Sequence, residues 1–178
     1  MKERLEKWPE KVVDLTSSGW NSRLGRYYIG QTRKLYLSNQ LKSWAGIINP
    51  YHSGINVYFD IFTITNFGEH SFNAEILLNA EIFYGNTELS SITPSNQSII
   101  PAPKPKAYMV QTDCPGDTIT GGINIFNRIV PPNETLVSDS HQGSIIIGPG
   151  RTFSILLSTL EREINTATIV LTWWEERI

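Results

Sequence analysis

Histidines, a cysteine and two carboxylate pairs are the residues whose spacing invites a chemical reading in this 178-residue chain. His52, His70 and His141 are its only histidines, and none stands at His-x-His or His-x-x-x-His spacing. A metal site would have to be assembled from distant loops, so solvated loop histidines are the reading and no metal is expected. Cys114 sits in Asp113-Cys-Pro-Gly-Asp117. A nucleophilic thiolate wants a base or a cation beside it, whereas these acidic neighbours raise a thiol pKa. A turn cysteine is expected, and with no second cysteine no intramolecular disulfide can form. Glycoside hydrolysis needs two carboxyls about 5–10 Å apart across a cleft, one of them with a raised pKa. Glu161 and Glu163 flank Arg162, which keeps them ionised, and Glu175 and Glu176 point to opposite sides of a strand. Both pairs read as solvated charges. No Gly-rich phosphate loop, Gly-x-Ser-x-Gly or dinucleotide-binding signature is present. A cupin-type enzyme would need a clustered metal set that these histidines do not supply. The expectation is a protein that is not an enzyme and uses no cofactor.

The aromatic residues are the remaining resource. Five tryptophans stand at 8, 20, 44, 173 and 174. Adjacent Trp173 and Trp174 must face opposite sides of their strand, so one joins the core and the other needs cover. That cover is ranked as the chain's own N-terminal helix first, another subunit second and a sugar third. The candidate interface or ligand contacts are Trp8, Trp44, Tyr51, Pro101, Pro103, Pro105, Trp173 and Trp174.

The elements that must position these residues are strands. Arg26 to Thr32, Arg33 to Ser38 and Trp44 to Ile48 are short and β-prone. Ile55 to Thr65 is apolar on both faces and predicts a central strand covered on both sides. Phe72 to Tyr84 alternates apolar and polar residues. Ile119 to Val130 predicts a strand with a bend or bulge at Gly121-Gly122. The C-terminus predicts three more strands, Ser144 to Ile147, Thr152 to Ser158 and Thr166 to Trp174, with a tight Gly148-Pro-Gly150 turn after the first. Residues 86–117 carry five prolines and predict a Pro-rich insertion, polyproline II over Pro101 to Lys106 and an edge strand over Ala107 to Thr112. At the other end Pro9 opens a short helix through Leu15 that Thr16-Ser-Ser-Gly19 ends. About nine short strands with no helix between them predict an all-β fold, an antiparallel β-sandwich of jelly-roll type with a short N-terminal helix. Residues 1–20 are expected as a helical arm and 21–178 as one domain.

Net charge is −2, too small to steer the chain toward nucleic acid or an anionic membrane. No apolar run reaches membrane-spanning length, and the first ten residues lack the apolar core of a secretory signal. Synthesis in the cytoplasm without a signal peptide is expected.

Four stretches resemble a small, functionally uncharacterised β-sandwich family of spore-forming Firmicutes and their phages. They are Tyr28-Ile-Gly-Gln-Thr32, Asn49-Pro-Tyr-His-Ser-Gly-Ile-Asn-Val57, Gly148-Pro-Gly-Arg-Thr-Phe153 and Trp173-Trp-Glu-Glu176. The resemblance implies a structural component and brings no catalytic residues. Spore-appendage subunits of jelly-roll type rely on several cysteines for cross-linking, and this chain has one. The functional expectation is a non-enzymatic assembly protein. It would self-associate as a homo-oligomer or decorate a larger particle such as a spore surface or virion. The alternative is a carbohydrate-binding module that presents its aromatics to a glycan.

Overall fold

A computed structural model describes residues 14–82, 87–113, 119–139 and 141–178. One helix and fifteen strands occur among them, in the order α1 (Ser17–Arg23), β1 (Tyr27–Gln31), β2 (Leu35–Leu37), β3 (Ser43–Ile48), β4 (Ile55–Asn66), β5 (Phe72–Leu78), β6 (Glu81–Ile82), β7 (Glu88–Leu89), β8 (Ser91–Pro94), β9 (Tyr108–Thr112), β10 (Ile119–Thr120), β11 (Ile123–Val130), β12 (Thr135–Ser138), β13 (Ile145–Ile147), β14 (Thr152–Ser158) and β15 (Asn165–Arg177).

The strands form two main antiparallel sheets. The first runs β12–β4–β15–β1–β8, with β13 also paired to β4 and β2 to β15; the second runs β11–β5–β14–β3–β9–β7. From β3 to β5, and again from β11 to β15, the chain passes back and forth between the sheets, so strands from its two ends become neighbours. The order β1–β15–β4–β12/β13 facing β3–β14–β5–β11 is that of a jelly roll. The expected all-β sandwich is therefore the fold. The Gly148-Pro-Gly150 turn closes no hairpin: it carries the chain from β13 in one sheet to β14 in the other.

The inner faces meet in a core that includes Phe59, Phe62, Ile64, Leu171 and Trp173 from the first sheet and Ile47, Ile76, Met109, Phe153 and Ile155 from the second. Gly30 on β1 makes room for this packing. A Cβ there would lie 2.6 Å from Met109 Sδ and 3.1 Å from the Trp173 ring. A second apolar cluster on the outer face of the second sheet gathers Trp44, Ile48, Leu77, Val110 and Ile119. The short β6–β10 pair contributes Ile119 to it.

Several local expectations are corrected. Thr16 opens the helix rather than ending one, because its Oγ accepts the Gly19 N–H at 3.1 Å and caps the first turn. Of the helix expected after Pro9, residues 9–13 lie outside the described residues, as does Trp8, and 14–16 are not helical. The strand expected over Phe72 to Tyr84 is broken at Asn79, whose φ is 57°, and its last two residues lie outside the described residues. The outer face of β4, with Tyr58, Ile61, Thr63 and Thr65, is only half-buried, so this strand is central but not covered on both sides. The segment expected as an irregular insertion supplies β7, β8 and β9, which extend both sheets beyond β1 and β3. β9 is not an edge strand; it lies between β3 and β7 with Met109 to Thr112 buried. The strand expected over Ala107 to Thr112 is β9, whereas proline density hid β7 and β8; Pro94 sits at the end of β8, an edge strand, where a missing donor costs little.

Candidate functional site

Both C-terminal indoles are inside the fold. Trp173 lies between the sheets with no exposure, and Trp174, on the outer face, is only 4% exposed. Among the described residues the chain itself supplies cover for Trp174, and residues 8–13 of the expected N-terminal helix lie outside them. Tyr58 stacks on it at 5.5 Å and 3°, and Tyr27 flanks it at 6.5 Å and 18°. Residues 141–144 ahead of β13 add to the cover, with Gly143 against the indole; a Cβ at Gly143 would run into Cη2 and Cζ2. Gly143 N–H donates to the Phe59 carbonyl at 2.9 Å, which fixes the loop on β4. The Tyr27 hydroxyl donates to Asp60 Oδ2 at 2.8 Å and lies 2.8 Å from the Thr172 hydroxyl; burial raises its pKa above the ordinary phenol range.

The same loop carries His141, whose ring lies 5.6 Å from Phe59, 5.8 Å from Phe62 and 5.9 Å from Phe126. It thereby bridges β4 of one sheet and β11 of the other. Ser138 Oγ is its hydrogen-bond partner at 2.9 Å, and burial lowers its pKa. His70 instead pairs with Glu163 at 3.1 Å, a bond that raises its pKa, and His52 sits edge-on to Tyr51 at 5.0 Å. The three histidines thus have three separate environments. Cys114 lies outside the described residues.

Glu175 departs from its expected role as a solvated charge. It is buried, 7% exposed, and the same alternation that points Trp173 inward points it inward as well. Its carboxylate accepts the Lys106 N–H at 2.9 Å, the Ala107 N–H at 3.0 Å and the Trp173 indole N–H at 3.3 Å. Burial raises its pKa, against the opposing pull of the Lys106 and Ala107 amides. This residue latches the Pro-rich segment to β15. Pro103 and Pro105 are half-buried beneath that latch and Pro101 is exposed. Lys106 Nζ adds a bond to the Ser53 carbonyl at 2.6 Å. The Tyr28 hydroxyl, raised to about 12 by burial and by the Glu175 charge, lies beside this latch.

Trp44, at 1% exposure, belongs to the outer cluster of the second sheet and offers no open ring face. Tyr51 is the opposite case, 76% exposed on the turn after β3. Two of the stretches that carried the family resemblance meet at this turn. Asn49 N–H donates to the Arg151 carbonyl at 3.0 Å and Gly150 N–H returns to the Asn49 carbonyl at 2.8 Å. The Asn49 side chain donates to the carbonyls of Ile55 and Ile147, both at 2.9 Å, which ties β3, β4 and β13 together. These residues build a corner of the fold.

One edge of the second sheet is left open among the described residues. β11 pairs only with β5, and its other side has no strand beside it. It is eight residues long, Ile-Asn-Ile-Phe-Asn-Arg-Ile-Val, with Ile123 61% and Ile129 72% exposed. Natural sheets blunt such edges with charge, proline or shortness. Here Arg128 is the sole charge on the strand, and its guanidinium sits over its own Phe126 ring at 4.8 Å.

Residues 2–178 match a family described as a family of unknown function (DUF6143). The chain belongs to that family. No curated protein and no solved structure matches it. No helix among the described residues is long and apolar enough to cross a membrane.

Sequence reasoning missed Glu175, the 141–144 segment over Trp174 and the open β11 edge. For Glu175 the signal was available in its i, i+2 relation to a buried tryptophan. For the other two it was not, because cover and edge are decided by which strands become neighbours.

Proposed function

We propose that this protein is a non-enzymatic assembly subunit that associates with copies of itself through β11. The observation that supports this reading is the long apolar edge of the second sheet, unpaired on one side among the described residues. A second copy fits it best. In an antiparallel pair centred on Asn127, each Asn127 faces its own copy and each Arg128 faces Phe126 of the other chain. That register keeps the two Arg128 charges from meeting and extends the existing Arg128–Phe126 stacking across the join. Main-chain hydrogen bonds supply the affinity, as in other strand-addition contacts. The sequence resemblance favours a spore surface layer or a virion as the larger particle that such a subunit builds or decorates.

Size-exclusion chromatography with light scattering, from low to high micromolar concentration, tests this. The full chain is expected to form a concentration-dependent oligomer, and Ile129→Lys and Arg128→Ala are each expected to move it toward monomer. A strict monomer throughout, or an oligomer unmoved by both substitutions, overturns the reading. So does association that vanishes only when residues 1–20 are deleted, since the arm and not the edge would then carry it.

A further inference from the structure

A cleft of about 540 Å³ opens where the Pro-rich segment, the end of α1 and the end of β15 converge. Its lining carries an excess of positive charge in a chain whose net charge is −2. Two of the lining charges are already committed. Glu175 accepts its three N–H donors and Lys106 Nζ is bonded to the Ser53 carbonyl. Arg26, Lys104 and Arg177 have no ion pair among the described residues, and Glu176 is the one acid on the lining left to oppose them. Arg26 is the informative member. Its Nε is buried and has no hydrogen-bond partner. A buried N–H on a charged group costs free energy when left without an acceptor, so this guanidinium is held at the cleft wall with hydrogen-bonding capacity unspent. Tyr28, Ile55 and Pro103 supply an apolar wall beside these cations.

We propose that this cleft binds a small ligand with an oxyanion head, a phosphate monoester or a carboxylate. Its head is held by the Arg26 guanidinium with Lys104 and Arg177, and its body lies on Tyr28, Ile55 and Pro103. Guanidinium and oxyanion match in planar, two-point geometry, and water exclusion by the apolar wall strengthens the pairing. The site is independent of the β11 edge, which lies on other strands.

Titration of the full chain with inorganic phosphate, phenyl phosphate and benzoate at low ionic strength, followed by amide chemical shifts, tests it. Saturable shifts confined to residues around 24–28, 103–107 and 175–177 are expected, with the aromatic ligands binding more tightly than inorganic phosphate. The order of phenyl phosphate and benzoate identifies which oxyanion the site prefers. Arg26→Gln is expected to weaken binding about tenfold or more, the scale of one lost charge-assisted bond. Lys104→Gln, on an exposed position that tolerates change, weakens it less. Absence of saturation with all three probes, or equal affinity in the native chain and in both variants, overturns the proposal.

Discussion

Trp174→Ala separates a structural indole from a binding one. Trp174 is 4% exposed, stacked on Tyr58, flanked by Tyr27 and topped by Gly143. Truncating a buried Trp to Ala costs about 3–5 kcal/mol, and the parallel Tyr58 contact places this site at the upper end. For a chain of this size each kcal/mol lowers Tm by about 2–4 °C, so a fall of roughly 6–20 °C is expected. Urea unfolding followed by circular dichroism measures it, with Trp20→Ala, half-exposed on α1, expected within about 0.5 kcal/mol of the native chain. Gly143→Ala extends the test. Its φ of 77° adds roughly 1–2 kcal/mol of left-handed strain for alanine, and the clash with the indole adds about 1–3 kcal/mol of overpacking. In the Trp174→Ala background the clash vanishes and the strain remains, so the double mutant is expected to be more stable than the sum of the single effects predicts by about 1–3 kcal/mol. A Trp174→Ala cost below about 1 kcal/mol, or strict additivity of the pair, would refute the claim that this loop covers the indole.

Two further outcomes follow from the buried ionisable groups. Glu175→Ala orphans the amides of Lys106 and Ala107, so hydrogen exchange at those amides is expected to accelerate well beyond that of the β14 amides, with a stability loss of about 2–4 kcal/mol; unchanged exchange at 106 and 107 would remove the latch. His141 has a folded pKa below its unfolded value of about 6.5, so the unfolded chain takes up the proton first. Its contribution is complete above about pH 6.5 and is lost as pH falls from there toward the folded pKa. His70, whose folded pKa is raised, works in the opposite sense, so the difference between the native chain and His141→Gln in urea midpoint at stepped pH isolates the effect; a difference that stays constant between pH 7.5 and 5.5 counts against it.

The fold was legible in one dimension where the signal is local. Thr152–Ser158 is β14 to the residue, and the break at Gly121-Gly122 separates β10 from β11 as the two glycines predict. The prolines at 101, 103 and 105 were legible as a special segment. Their surroundings were not: β8 is short and pairs with β1 far away in sequence, and the burial of β9, expected as an edge strand, comes from distant β3. For Glu175 the limit is partial: its i, i+2 relation to Trp173 put both on one face, while the amides that hold it there come from far away in sequence.

The sequence by itself determined strand content, alternation and the places where the chain must turn, because these rest on backbone sterics and on residues a few positions apart. It also determined that Trp173 and Trp174 face opposite ways. The tertiary structure decided what meets each face: the second sheet for Trp173, Tyr58, Tyr27 and Gly143 for Trp174, and no strand among the described residues for the outer side of β11. Those contacts join segments up to a hundred or more residues apart, and their energy depends on strand order, which no local pattern encodes.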